Sequence, residues 1–508
     1  MPTNVTDVDV LVIGGGVNGV GIAMDGAGRG LKVALCEMHD LASATSSNSS
    51  KLIHGGLRYL EHYEFALVKK ALAEREVLLA NAPHIMWPLR FRLPHQGALR
   101  PAWMLRLGLY LYDHLAKRSQ LPSSHSVRFS TNSPLKSSFT KGFEYSDGWV
   151  DDARLVVLCA MAAQQHGAEI KPRTACISAQ RTQGVWQVIL ENADTHTQQH
   201  YRAKVLINAA GPWASSVFDK VIEQAAPQQL RLVKGSHIVV PQLHSQPQAY
   251  ILQHIDHRIV FVIPYEQHFS LIGTTDVDYQ GDPAQVAIST DEIDYLCQVA
   301  NDHFSQQISA KDVVWSYAGV RPLIEAGQAA GQQAQTASRD YRFTVDAPQG
   351  GAPLLSVFGG KLTTYRLLSE DAVNAISPYF AHISAPWTKD ATLPGGDFSS
   401  QPALIAQLRQ HYPWLNHSEL QRWVRSYGRL CVEFLPKTQH SNHTKPGYQA
   451  LGEHFGCGLY QAEVDYLMRQ EWAYNANDIL WRRTKLGLSF NEQQIARLQQ
   501  YMQAKHTL

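Results

Sequence analysis

The sequence predicts an α/β protein: a Rossmann-like domain at the N-terminus, an antiparallel β-sheet domain inserted into it, and a helical C-terminal domain. Three observations carry this. A short β-branched run, Val8 to Ile13, meets a glycine-rich turn and then a helical pattern. Many short β-rich runs crowd the stretch between about Gln228 and Val320. From about Gly395 onward the pattern turns mostly helical. At 508 residues the chain is long enough for two or three domains.

The first element is the most informative. Val8 to Ile13 reads as a buried parallel strand. Gly14, Gly15, Gly16, Asn18 and Gly19 follow, with Gly14, Gly16 and Gly19 in GxGxxG register. A helix then runs towards Gly30, and a second strand, Leu31 to Cys36, ends at Glu37. Glycines let backbone approach a pyrophosphate, and the helix start offers free N–H groups. Glu37 lies about twenty residues beyond the turn, where an acid accepts hydrogen bonds from an adenosine ribose. The turn alone fits NAD or FAD; its place at the head of a long chain leans towards FAD.

The next segment, DLASATSSNSS from Asp40 to Ser50, is dominated by small hydroxyl residues. Thr45, Ser46 and Ser49, with Leu52 beyond them, suit the remaining phosphate and ribitol oxygens of a dinucleotide. Trp149 to Gly167 reads as a helix, with Asp151 or Asp152 as cap. Thr182-Gln183-Gly184 reads as a hairpin turn. Lys204 to Asn208 is an apolar strand running into Gly211, where backbone can lie against a ligand. His237 to Val240, Arg258 to Ile263 and Ser270 to Ile272 suggest an antiparallel sheet. Leu354 to Phe358 forms a strand that meets Gly359 and Gly360, with a helix beginning near Thr363. That second helix start would stabilise negative charge on a reduced flavin. On this basis residues 7–80, 145–225 and 340–388 form the nucleotide domain, 81–144 and 226–339 the substrate domain, and 389–508 the helical domain.

Composition narrows the function classes. The net charge is +1, which gives no global field for nucleic acid. Six scattered cysteines show no CxxC spacing, so neither a zinc site nor a redox pair is expected. His254 with His257, and His440 with His443, lack acidic or cysteine partners at ligand spacing and read as surface pairs; no metal is expected. The opening MPTNVTDVDV lacks the basic and apolar regions of a secretory signal. No apolar run reaches the ~20 residues that span a bilayer. Pro88 to Arg118 interleaves arginines with Phe91, Trp103, Met104, Leu105, Leu109 and Tyr110. Read as a helix, it lies either in a lipid headgroup plane or in a core or dimer contact with its arginines reaching out to solvent.

Taken together, VIGGGVNGVGIAMDGAGRGL, SSKLIHGGLRYLEHYEF, GFEYSDGWVDDARL, KGSHIVVP, IGTTDVDY, YAGVRPL, SVFGGKLTTYR and WRRTKLGL resemble the aerobic glycerol-3-phosphate dehydrogenase family, across nearly the whole chain. The resemblance implies a D-amino-acid-oxidase-like flavoprotein that oxidises glycerol 3-phosphate to dihydroxyacetone phosphate by hydride transfer from C2 to flavin N5. It implies electrons passed to a membrane quinone, peripheral attachment to the inner face of the cytoplasmic membrane, and a homodimer. It favours the membrane reading of Pro88 to Arg118.

Arg58, Arg321 and Arg339 are the phosphate candidates it implies, since a guanidinium fork gives paired, charge-assisted bonds. Tyr59 adds a hydroxyl donor. His237 is the leading proton acceptor, with Arg321 the competing partner for the hydroxyl oxygen. Lys361, with Leu362 and Thr363, is expected beside the flavin ring or substrate, where Lys361 offsets charge on the reduced ring. A soluble oxidase that reduces oxygen to hydrogen peroxide is the alternative; the basic amphipathic stretch favours the quinone-linked form.

Overall fold

The computed structural model describes residues 5–96, 101–256, 258–324, 340–436 and 447–507, with backbone only at 58, 61, 62 and 507. Among them, strands gather into sheets of eight and ten members and one small hairpin. The first sheet is built on the strand Val5–Ile13, which lies parallel to Val33–Cys36 on one side and to Gln198–Asn208 on the other. Leu354–Phe358 extends it in parallel beyond Gln198–Asn208, and Glu169–Lys171 beyond Val33–Cys36. The central strands are apolar on both faces because both are covered, one by helices and the other by the hairpin Thr174–Thr182 and Val185–Asn192 with residues 214–222. Helix Val17–Gly28 packs beside Asp152–Gln165 and Tyr365–Ile376.

Several expected elements are found, with changes at their ends. The hairpin turn joins Thr174–Thr182 to Val185–Asn192, and Gln183 and Gly184 both take positive φ, as a two-residue hairpin turn of primed type requires. Leu354–Phe358 appears with the bounds expected. The helix expected from Trp149 begins instead at Asp152. Trp149 and Val150 close the strand Lys141–Val150, and Asp151 caps the helix by accepting from the Arg154 N–H at 3.2 Å.

The second sheet is largely antiparallel. Leu230–Pro241 pairs with Trp315–Ile324 and Phe269–Gly273; Ile259–Tyr265, Ala249–Gln253, Met86–Pro94, Lys141–Val150 and Leu52–Ile53 follow in order. Here the reading of Pro88 to Arg118 as one helix is corrected. Met86–Pro94 is a strand, and only Ala102–His114 is helical. Its arginines are committed to partners: Arg90 and Arg92 both pair with Glu144, at 2.9 and 2.8 Å. Arg106 donates to the Ser124 carbonyl and hydroxyl, and Arg118 pairs with Asp113. Arg100 lies outside the described residues.

The C-terminal helices Gln401–His411, His417–Tyr427, Gln461–Gln470 and Glu492–Thr507 enclose their own core around Trp423, Tyr427 and Tyr466. This core docks on the first sheet's helices through buried charges. Arg154, fully buried, pairs with Glu471, and Arg483 pairs with Asp40. Removing one partner of such a pair costs roughly 3–5 kcal/mol, because it strands the other charge.

Candidate active site

A cavity of about 2120 Å³ runs between the two sheets. Ordinary small-molecule sites measure roughly 300–1,000 Å³, so this one accommodates a large dinucleotide with space beyond it. One end is built from the glycine turn. Gly14 has φ +117°, and a Cβ there would lie 2.5 Å from the Ala209 carbonyl oxygen. A Cβ on Gly19 would lie 1.9 Å from the Gly14 oxygen, so the helix can approach the strand only without one. Gly14, Gly16 and Asn18 line the cavity; Gly15 and Gly19 stand behind it. Helix Val17–Gly28 has no acidic residue in its first turn, which leaves its positive end to an anion.

Glu37 faces the cavity beside that turn and accepts from the Gly15 N–H at 2.7 Å and the His39 N–H at 2.8 Å. Desolvation raises its pKa against those two bonds. The hydroxyl loop forms the adjoining wall. Ser46 accepts from the Val17 N–H at 3.0 Å, and Thr45 donates to the Val320 carbonyl at 2.7 Å. Ser49 donates through both N–H and Oγ to Asp152, which also takes the buried Lys51 ammonium at 2.8 Å. Thr45, Ser46, Ser49, Leu52 and Gly211 all line the cavity.

The other end is where the two sheets meet. Gly359 and Gly360 have φ +74° and +102° and turn the chain into Leu362–Thr364; Gly359, Gly360, Lys361, Leu362 and Thr363 all face the cavity. The Lys361 ammonium lies 3.8 Å from the centroid of the Tyr59 ring. Arg321 enters from Trp315–Ile324, bonded to Asp276 and, at 3.0 Å, to the Thr274 hydroxyl. A Cβ on Gly235 would lie 2.7 Å from its guanidinium, so that glycine makes room for it. Phe91, Tyr145, Ile251 and Phe261 give this end an apolar wall.

His237 departs from expectation. It is 1% exposed and does not line the cavity. Its ring stacks on Tyr317 with centroids 4.7 Å apart, and its Nε2 meets the Ser50 hydroxyl at 2.9 Å. Ser50, which does line the cavity, stands between the imidazole and the open space. Burial, then the charges of Arg321 and Lys51, push the His237 pKa well below its usual value, so the ring is neutral.

Arg339 lies outside the described residues, as does the side chain of Arg58; so do His257, His440 and His443. His254, expected at the surface, is partly buried, with Nδ1 3.1 Å from Asp256. Sequence reasoning gave Asp152 only a capping role and missed Asp147. Asp147 lines the cavity and is held by Arg75 at 2.7 Å and the Tyr112 hydroxyl at 2.7 Å. Its signal was available in SDGWVDD, three acids in a largely apolar stretch.

The residues fit FAD. The glycine cradle excludes side chains, the helix start is free of acid, and Asn18 keeps a buried Oδ1 without a partner at the turn. Comparison with known proteins decides the matter. Residues 9–366 match the FAD dependent oxidoreductase family, and residues 386–505 match the C-terminal domain of alpha-glycerophosphate oxidase. A glycerol-3-phosphate dehydrogenase of Pseudomonas aeruginosa is 55% identical over 499 residues, covering 98% of this chain and 95% of that protein. The chain belongs to the FAD-dependent glycerol-3-phosphate dehydrogenase family. It is an FAD-dependent oxidoreductase. Another member of the group, D-erythritol 1-phosphate dehydrogenase of Brucella abortus, is 47% identical and covers 95% of each chain. Among solved structures, the glycerol-3-phosphate dehydrogenase of Bacillus halodurans complexed with FAD superposes with a TM-score of 0.73, at 27% identity, over 98% of this chain and 94% of that one.

Proposed function

We propose that this enzyme oxidises sn-glycerol 3-phosphate to dihydroxyacetone phosphate and delivers the electron pair to a membrane quinone. The observation that supports this reading is that Arg321 and the Lys361–Tyr59 pair line one cavity. Two cations beside a phenol suit a small phosphorylated alcohol. FAD, when bound, supplies at N5 the acceptor for the hydride leaving C2. Gly14, Gly15, Gly16, Asn18, Gly19 and Glu37 hold its adenosine and pyrophosphate, and Thr45, Ser46, Ser49, Leu52, Gly211 and Gly359 to Thr363 hold the remainder.

Arg321 and Lys361 bind and orient the substrate, with Arg58, Tyr59, Arg339 and Thr363 completing its site. Arg321 orients the hydroxyl oxygen through its planar guanidinium. His237 is the proton acceptor of this reading: its Nε2 meets the Ser50 hydroxyl, which relays the C2 hydroxyl proton to it against the opposition of burial and the charges of Arg321 and Lys51. Delivery to a quinone at the inner membrane face is supported by helix Ala102–His114, whose Trp103, Met104 and Leu107 are exposed at the cavity rim, Trp103 to 66%. Among the described residues, no helix is long and apolar enough to cross a membrane. A homodimer is part of the same reading.

The 47% identity to D-erythritol 1-phosphate dehydrogenase favours a second reading, in which a longer phosphorylated alcohol is the substrate. Anaerobic titration of the holoenzyme with glycerol 3-phosphate, D-erythritol 1-phosphate and glycerol separates them. Glycerol 3-phosphate should bleach the flavin absorbance at the lowest concentration, and glycerol should leave it oxidised. Preferential bleaching by the erythritol ester overturns the first reading. Peroxide formed stoichiometrically in air, with no response to added quinone, would make the enzyme an oxidase.

A further inference from the structure

We infer that residues 481–485 of the C-terminal domain are the positioning element for the flavin-facing loop 40–51. Within the loop, backbone ties run from Ser43 N–H to Asp40 O, Ser47 N–H to Ala44 O and Asn48 N–H to Thr45 O, at 3.1–3.3 Å, and side-chain ties from Asn48 to Ala44 O and from Lys51 to Ser47 O. The loop's middle is tied at Ala42, Thr45 and Ser46 to Gly15, Val320 and Val17, and its two ends are held by buried charges. At the first, the buried Asp40 accepts both terminal nitrogens of Arg483, at 2.7 and 2.8 Å, and the Arg482 Nε at 2.5 Å. Arg483 is itself fully buried, and is fixed by donating to the Glu471 carbonyl at 2.7 Å. Arg482 is braced by Asp478.

At the other end, Ser49 and Lys51 are held by Asp152, as described above. The neighbouring Asp151 pairs with Lys485 at 3.2 Å. A single run of five residues thus grips the loop directly at Asp40 and, through Asp151 and Asp152, at Ser49 and Lys51. Thr45 and Ser46 stand between those grips, and with Ser49 they lie on the cavity wall. Burial opposes the charged form of Asp40, yet Arg483 and Arg482 outweigh it and hold its pKa below the usual range. A two-pronged guanidinium fixes direction as well as distance, which a lysine at the same place cannot. The C-terminal domain therefore shapes the flavin site without lining it. This rests on FAD as cofactor and is independent of which alcohol is oxidised.

The test is FAD release from diluted holoenzyme, followed by the rise in flavin fluorescence. R483M and D40N should each release FAD at least about tenfold faster than wild type, and the double variant no faster than the worse single one, because both remove one interaction. R483K should fall between wild type and R483M. R482M, at a partly exposed arginine, should show about threefold. R422M is the control: it breaks the Arg422–Glu463 pair inside the C-terminal core, away from the loop. It should lower the thermal midpoint while leaving FAD release unchanged. Wild-type release from R483K and R482M overturns the inference even if R483M does not fold. So does R422M releasing FAD as fast as R483M, since general destabilisation would then explain the effect.

Discussion

Acid should weaken the seam between the first domain and the C-terminal helices, and His84 is the residue that makes this calculable. His84 is fully buried. Gln401 donates to the carbonyls of Pro83 and His84 at 2.9 and 3.1 Å, and the ring of Phe398 meets the imidazole edge-on at 6.3 Å. Burial first, then repulsion from Arg154, push its pKa from 6.5 down to about 3. A histidine whose folded pKa is depressed binds its proton more readily when unfolded, so its contribution is whole above the unfolded value and is lost as pH falls. Each unit is worth about 1.4 kcal/mol, so His84 alone removes about 2 kcal/mol between pH 6.5 and pH 5, and about 5 kcal/mol in all by pH 3.

Replacing it with leucine removes the proton site while keeping an apolar side chain. We expect the urea-unfolding free energy of the first transition to fall less steeply in H84L than in wild type, by about 1.4 kcal/mol per pH unit below 6.5. Carboxylates and His244, which burial pushes down to about 4, titrate in both proteins and cancel in the comparison. Parallel pH profiles for the two proteins would refute the reasoning.

Other outcomes follow from the site. Gly19→Ala places its methyl 1.9 Å from the Gly14 oxygen; the purified protein should lack flavin absorbance, and a fully yellow variant would contradict the close-approach argument. Gly235→Ala displaces the Arg321 guanidinium, so KM for the phosphorylated substrate should rise by about tenfold, one charged hydrogen bond's worth, with FAD content unchanged. Ser50→Ala removes the hydroxyl between the cavity and His237; kcat should fall by about a hundredfold with KM little altered, and an unaltered kcat would exclude the relay. Lys361→Met should lower the flavin midpoint potential by about 30 mV, measured by dye equilibration, through loss of one cation near the reduced ring.

How much of this was legible in the sequence depends on whether each feature is local. The glycine turn, the hairpin at Gln183-Gly184 and the strand Leu354–Phe358 were readable because each is set by neighbours in sequence. Met86–Pro94 was misread, although Leu89, Arg90, Phe91, Arg92 and Leu93 alternate with period two, the mark of a strand. The helical pattern that follows at Ala102 obscured that change of period. Trp149 and Val150 were assigned to the helix because the capping acids lie just beyond them; β-sheet pairing with Met86 and Trp87 claims them instead. The burial of His237 was not legible at all. It depends on which strands flank Leu230–Pro241, and nothing in KGSHIVVP states that Tyr317 lies opposite. The grip of Arg483 on Asp40 spans 443 positions and is invisible to any local pattern.

The order of strands in the first sheet has a consequence for biosynthesis. Val5–Ile13 and its glycine turn are made long before another wall of the cavity, Gly359 to Thr363, whose strand Leu354–Phe358 joins the sheet between Gln198–Asn208 and Arg342–Asp346. A nascent chain halted before that strand holds the glycine turn without the wall from Gly359 to Thr363, so the complete cavity waits on synthesis past Thr363.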